Sequence, residues 1–249
     1  TTSGAQTYSN MMNLASDTTL TSSAGGISLY NVDGAQNLTV TTATGATLNG
    51  GIGLSVNLAS LTLDGGGTDT LHTFGITTTG AQTYNNAILL TQSSSITAGG
   101  AITLSAIDGP YTIDFSSATG TTLNGIIGGT TPLDVFTLSG GGTDVINTSA
   151  ITTTGSQAYF NPITLAHDVT MTSDSVVSLA AVDGAYNMTI TTRIGAILNG
   201  DIGVTTPLSS LTFSSTDGLI TSDNMNSSVI NTTGNQVYNN PFSINANTT

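Results

Sequence analysis

Aspartates are the recurring charged residues of this chain and the groups with which it could do chemistry. The chain has fourteen Asp, no Glu, no Lys and a single Arg, so its formal net charge is −13. Asp64, Asp69 and Asp144 flank short glycine runs that are similar to the calcium-binding turns of β-rolls. A β-roll repeats such turns about every nine residues, whereas these occur once in about 75. We therefore expect structural turns here, no cofactor, and calcium as the weaker alternative for these three residues.

Other polar residues recur at one place in successive repeats and are typical of turns. Asp-Gly pairs favour tight turns, and inward Asn side chains can satisfy turn backbone groups and form ladders along a solenoid. The predicted turn and ladder residues are Asp33, Asp108, Asp183, Asn49, Asn124 and Asn199. Several Asn residues also begin Asn-x-Ser/Thr patterns, so sugar attachment is the functional alternative at those positions.

Catalytic groups do not converge in the sequence. Secreted β-helices that cleave acidic polysaccharides need an acid pair, or calcium with a basic residue, at one place. The basic side chains here are His72, His167 and Arg193, and none of them recurs between repeats. The sequence therefore predicts a protein that is not an enzyme.

A long internal repeat organises the chain. Residues 4–8 return as 80–84, 155–159 and 234–238, at steps of 76, 75 and 79. A fixed period of this length indicates a solenoid in which each unit is stabilised by its neighbours. The predicted units of one continuous solenoid are residues 1–76, 77–151, 152–230 and the start of a fourth at 231–249.

Composition and periodicity select the kind of solenoid. Apolar residues make up 37% of the chain and alternate with Thr, Ser and Asn, as in the pairs Leu38/Val40 and Ile113/Phe115. Such short period-two segments, with no helix-favouring stretch between them, predict an all-β parallel β-helix. With about 19 residues a coil, each repeat holds about four coils and the chain about thirteen. A string of immunoglobulin-like sandwiches is the alternative.

The third repeat is longer than the others by four residues, between Phe213 and Ile230. Insertions in a solenoid emerge as loops and often make contacts. Within the inserted region, residues 214–226, the sequence predicts a partner-contacting loop containing Asp217, Asp223, Asn224 and Asn226. Drift in a tolerant turn explains the same difference.

The repeat phrase in residues 77–86 and 152–161 resembles the threonine-rich repeats of bacterial surface exoproteins of the filamentous haemagglutinin type. The resemblance covers the whole chain and rests on repeat phrasing and composition. It implies a right-handed β-helical rod at the bacterial cell surface, cut from a longer repeat array. It also implies a role in adhesion or cell contact, with other cell-surface molecules or further copies of itself as partners.

Charge and hydropathy bear on the other classes of partner. A polyanionic surface repels nucleic acid and anionic lipid, and no apolar run reaches the length of a membrane span. Open solenoid edges could also stack end to end into an extracellular filament, which is the alternative structural role.

Ice binding is a further class that threonine-rich solenoids can serve, through flat regular rows of Thr. The Thr runs at 77–79 and 152–154 recur once in each repeat and not once in each coil. A regular threonine lattice is therefore not expected from this pattern.

Overall fold

The computed structural model describes residues 1–216 and 222–245, which form 31 β-strands and no helix. All strand pairings are parallel, and paired strands are 19 to 27 residues apart in the chain. The predicted all-β parallel β-solenoid is therefore confirmed, and separate sandwiches are excluded. It has about 12 coils, one fewer than expected. None of the described residues forms a helix that could span a membrane.

The strands are short and follow one another at regular intervals. In chain order they are β1 (Gln6–Tyr8), β2 (Met12–Asn13), β3 (Thr18–Ser22), β4 (Ile27–Leu29), β5 (Val32–Asp33), β6 (Asn37–Thr42), β7 (Ala46–Leu48), β8 (Ser60–Gly65), β9 (Thr68–Leu71), β10 (Gly75–Thr78), β11 (Gln82–Tyr84), β12 (Ala87–Leu90), β13 (Ser94–Ala98), β14 (Ile102–Leu104), β15 (Ile107–Asp108), β16 (Ile113–Ser117), β17 (Thr121–Leu123), β18 (Phe136–Gly140), β19 (Asp144–Ile146), β20 (Ala150–Thr153), β21 (Gln157–Tyr159), β22 (Ile163–Leu165), β23 (Val169–Ser173), β24 (Val176–Leu179), β25 (Val182–Asp183), β26 (Asn187–Thr192), β27 (Gly195–Leu198), β28 (Ser210–Ser215), β29 (Asp223–Met225), β30 (Gln236–Tyr238) and β31 (Phe242–Ile244).

The chain visits three sheets in turn, once in each coil. The first sheet contains β1, β4, β7, β9, β12, β15, β20, β23, β26, β28 and β30. The second contains β2, β5, β10, β13, β16, β18, β21, β24, β27, β29 and β31. The third contains β3, β6, β8, β11, β14, β17, β19, β22 and β25.

Single bridging residues carry each sheet across places where no strand forms. Ile52 joins β5 to β10 in the second sheet, and Ile127 joins β15 to β20 in the first. Ile202 extends the third sheet from Val182 to Ile230. Since these bridges fill the gaps, all three sheets continue past the boundaries between repeats.

The sequence repeat is not a whole number of coils. Strands β1 to β10 and the bridge at Ile52 make eleven strand positions before the next repeat begins at Gln82. Because three positions complete a coil, each repeat spans three and two-thirds coils, where about four were expected. Successive repeats are therefore displaced by one sheet: Gln6 lies in the first sheet, Gln82 in the third and Gln157 in the second.

One continuous hydrophobic core runs inside the three sheets. In β6, Leu38 and Val40 are fully buried while Thr39 and Thr41 face outward and are half-buried. Alternation of this kind follows from the period of two in a strand. Larger side chains stack from coil to coil, as where the Phe115 and Phe136 rings meet edge to face with centroids 6.1 Å apart. Such stacking adds favourable contact to the burial of apolar area.

Candidate functional sites along the rod

Asp33, Asp108 and Asp183 each hold a corner loop through two backbone amides. The Asp33 carboxylate accepts hydrogen bonds from the Ser55 and Val56 N–H groups at 3.0 and 3.2 Å. Asp108 and Asp183 hold the loops at residues 130–131 and 205–206 in the same way.

The glycine after each of these aspartates is required by the backbone. Gly34, Gly109 and Gly184 have φ of 127°, 133° and 130°, which side chains rarely tolerate. A Cβ at Gly34 would also lie 2.5 Å from the Leu14 carbonyl oxygen. The recurrence of Asp-Gly is thus explained by a close approach of successive coils and by the two amides that the carboxylate binds.

Asn49, Asn124 and Asn199 lie on the outer surface of the rod. Their side chains do not point inward, in contrast to the inward ladders that were expected. They do bond from coil to coil: Asn49 Nδ2 donates to Ser28 Oγ at 2.9 Å, and Asn124 Oδ1 accepts from Asn147 at 3.1 Å. Asn199 belongs to a longer exposed row. Its members, each bonded to the next at 3.0 Å, are Ser178, Asn199, Asn226 and Asn245.

Three aspartates point into the core, at the same place in successive repeats. Asp69, Asp144 and Asp223 are 0%, 0% and 2% exposed. Asp69 accepts the Ala46 N–H at 2.6 Å from the preceding coil and the Asn86 amide at 3.2 Å from the following one. Asp144 accepts the Thr121 N–H at 2.7 Å and the Asn161 amide at 3.2 Å. Asp223 accepts the Ala196 N–H at 2.7 Å and the Asn240 amide at 3.2 Å. Each carboxylate therefore joins three coils.

Burial raises the pKa of all three buried aspartates, and the hydrogen bonds from Ala46, Thr121 and Ala196 oppose that shift. Burial also raises the pKa of the Tyr84 hydroxyl, and the nearby Asp69 charge adds to the effect. These groups are held in the interior, where they face fixed partners and not solvent.

The calcium candidates do not come together. Asp64 is half-buried on the outer side of β8, where it accepts the Asn85 amide at 3.2 Å, whereas Asp69 points into the core from β9. Across residues 1–216 and 222–245, no group of three or more His, Cys, Asp and Glu residues could hold a metal ion. The calcium alternative therefore gains no geometric support.

The repeated Gln and Tyr form a second buried polar contact, which the sequence pattern alone did not assign. Tyr84 donates its hydroxyl to Gln82 Oε1 at 2.6 Å. Gln82 Nε2 donates in turn to Thr78 Oγ1 at 3.1 Å and to the Thr97 carbonyl in the next coil at 2.8 Å. Tyr159 and Gln157 repeat this arrangement. The Gln and Tyr of the most recognisable repeated segment thus form a buried hydrogen-bonded contact between coils and not an exposed recognition motif.

The inserted region of the third repeat is mostly ordinary sheet where it is described. Asp217 lies outside the described residues. Asp223 and Asn224 belong to β29 and are not part of a loop: Asp223 is buried, and Asn224 is paired with Ile197. Asn226 is exposed in the asparagine row. A partner contact in this region stays a prediction. Among the described candidate residues, it now concerns Asn224 and Asn226, whose side chains are not buried.

An unbroken column of threonines runs along the outer side of the third sheet, one from each of six successive coils. Its members, aligned by strand register, are Thr19, Thr39, Thr62, Thr83, Thr103 and Thr122. A second column begins beside it with Thr21 and Thr41 and continues with Asp64. The Thr runs at 77–79 and 152–154 did not indicate this column, because its members come from unrelated parts of the repeat.

The first sheet carries a similar two-column pattern two repeats later. Thr170, Thr189 and Thr212 are in register, and beside them stand Thr172, Thr191 and Ser214. This pattern uses β23, β26 and β28, which correspond to β3, β6 and β8 of the first repeat. The hydroxyl-bearing rows of the first and third repeats thus lie in different sheets.

Comparison with models of protein families, with curated proteins and with solved structures finds no match in any of the three.

Proposed function

We propose that this chain is a rigid spacer segment of a secreted bacterial cell-surface protein. In that role it projects an adhesive region, or links one cell to another. The observation that carries the proposal is the continuity of three parallel sheets across every described repeat boundary, through the bridges at Ile52, Ile127 and Ile202. A rod without a joint between its repeats holds its two ends at a fixed distance.

The chemistry of the outer surface is compatible with this role. The net charge of −13 and the uncharged Thr, Ser and Asn rows favour solubility and disfavour contact with nucleic acid or anionic lipid. The resemblance to exoproteins of the filamentous haemagglutinin type supports the extracellular location, the right-handed winding and a longer parent array. The proposed partners are other cell-surface molecules or further copies of the rod.

The proposal predicts a fixed reach. Twelve coils at about 4.8 Å each give a rod of about 58 Å. We would place the full chain between an outer-membrane anchor and a peptide tag on bacteria and measure the height of the gold-labelled tag by electron tomography. The control is a Gly/Ser linker with the same number of residues.

A narrow distribution of heights near 58 Å above the anchor supports the spacer role. Heights as broad as those of the flexible linker would contradict it. Rods joined end to end between cells would favour the filament alternative instead.

A further inference from the structure

The threonine column of the third sheet has the spacing of a water lattice. Successive coils are about 4.8 Å apart, and the two hydroxyls of a Thr-x-Thr strand are about 6.7 Å apart. In tetrahedrally bonded water with oxygens about 2.75 Å apart, second neighbours lie at about 4.5 Å and layers repeat at about 7.3 Å. The spacing along the rod therefore agrees to about 0.3 Å a coil. The mismatch of about 0.3 Å adds to about 1.5 Å over the five steps of the column. The mismatch across the rod occurs only at Thr19/Thr21 and Thr39/Thr41, because Asp64 takes the third place of the second column.

The six hydroxyls of the column are available to solvent. Within residues 1–216 and 222–245, none of them makes a hydrogen bond to another protein group, whereas Thr78 and Thr153, which face inward, cap the turns after their strands. The outward threonines are exposed or half-buried. Each presents one hydroxyl and one methyl at a position fixed by the sheet, with no charged side chain in the column.

We propose that this column, Thr19, Thr39, Thr62, Thr83, Thr103 and Thr122, binds the surface of ice. The hydroxyls hold water in rows, and the methyl groups between them restrict where that water can lie. Water already held near the lattice positions of ice loses little further freedom when the crystal surface forms against it. This activity is independent of the spacer role, since it needs only the side of the rod.

The corresponding row one repeat further along shows which changes interrupt such a column while the fold is kept. This row lies in the second sheet, begins in the second repeat and continues into the third. It carries Asp114, Ala158 and Ile197 at the places of Thr39, Thr83 and Thr122. A charged carboxylate, a missing hydroxyl and a bulky apolar group each disturb ordered water. The rod nevertheless accommodates all three at equivalent outward positions.

The test uses the full chain and a variant that copies those residues, Thr39→Asp with Thr83→Ala and Thr122→Ile. We would measure the gap between the melting and freezing points of a seeded ice crystal, and the fraction of protein incorporated into slowly grown ice. The wild-type chain should show a gap that grows with its concentration and should be enriched in the ice. The variant should lose both properties. The matched control is Thr137→Asp, which adds the same charge to the interrupted row of the second sheet and should keep both.

Circular dichroism shows whether the variants are folded, and Thr39→Asp alone replaces the triple variant if the latter is not. Exclusion of the wild-type chain from ice, with no gap at millimolar concentration, would overturn the proposal. So would a folded Thr39→Asp variant or triple variant that behaves like wild type, or equal losses in Thr137→Asp.

Discussion

Gln6 and Gln82 hold the same place in successive repeats, yet Gln6 lies in the first sheet and Gln82 in the third. The displacement arises because eleven strand positions separate them and only three complete a coil. Deleting one repeat should therefore leave every strand with an equivalent neighbour while turning all that follows by a third of a coil.

Removal of residues 80–154 tests this relationship. The shortened chain should fold with an unchanged β-sheet spectrum, because Thr79 is then followed by residues 155–159, which are equivalent to residues 80–84 that normally follow it. Its long axis should shrink by about 18 Å, the rise of three and two-thirds coils. Small-angle X-ray scattering measures that change. An unfolded chain after this deletion, or a shortening far from about 18 Å, would contradict the assignment of eleven strand positions to a repeat.

The buried Asp69 predicts a difference between two substitutions. In Asp69→Ala, the Ala46 N–H and the Asn86 amide lose their acceptor inside the core. At roughly 1–3 kcal/mol for each of these two unsatisfied groups, the free energy of unfolding should fall by about 2–6 kcal/mol. Asp69→Asn keeps an oxygen for Ala46, and Asn86 can turn its own amide to accept, so the loss should be under about 1 kcal/mol. Urea titration compares them, and equal losses would argue against a hydrogen-bonding role.

The same aspartates predict that mild acid stabilises the rod. Burial raises the pKa of Asp69, Asp144 and Asp223 above the usual 3.8. The folded chain therefore binds protons before the unfolded chain does, and stability increases as the pH falls through the raised pKa values. The increase ends near pH 4, where the unfolded aspartates also protonate.

Below that pH an opposite contribution takes over. Backbone and side-chain hydrogen bonds from Asn37 and Asn187 lower the pKa of the exposed Asp17 and Asp168, so their contribution is lost as acid protonates them. Melting temperatures measured from pH 7 to pH 3 should pass through a maximum near pH 4. The triple change Asp69→Asn, Asp144→Asn and Asp223→Asn should flatten the rise between pH 7 and pH 4. A wild-type melting temperature that falls steadily over that range would refute the assignment.

The class of fold was predictable because it depends on a local signal. Pairs such as Leu38 and Val40 alternate with polar residues in every strand-forming segment, and that alternation alone indicates a half-buried strand. The number of coils in a repeat was less predictable, because Ile52 lies between glycines in a segment that reads as a loop. It forms a single bridge in the second sheet, and missing it changes the count of positions.

The buried aspartates were missed because a carboxylate near glycines is normally a turn residue. A signal for them was nevertheless present: Asp69 and Asn86 are 17 residues apart, and so are Asp144 and Asn161. A conserved interval between an acid and an amide indicates a fixed contact between coils. The threonine column offers no such signal, since its alignment depends on corner lengths that differ from coil to coil.

The rotation of the repeat has a consequence for any molecule that meets the rod from the side. Equivalent positions in successive repeats lie in different sheets, and therefore on different sides of the rod axis. They return to the first side only after three repeats. In a long array of such units, each position of the repeat would therefore be presented on all three sides of the rod. Neighbouring cells or molecules could engage it whichever way its anchor happened to point.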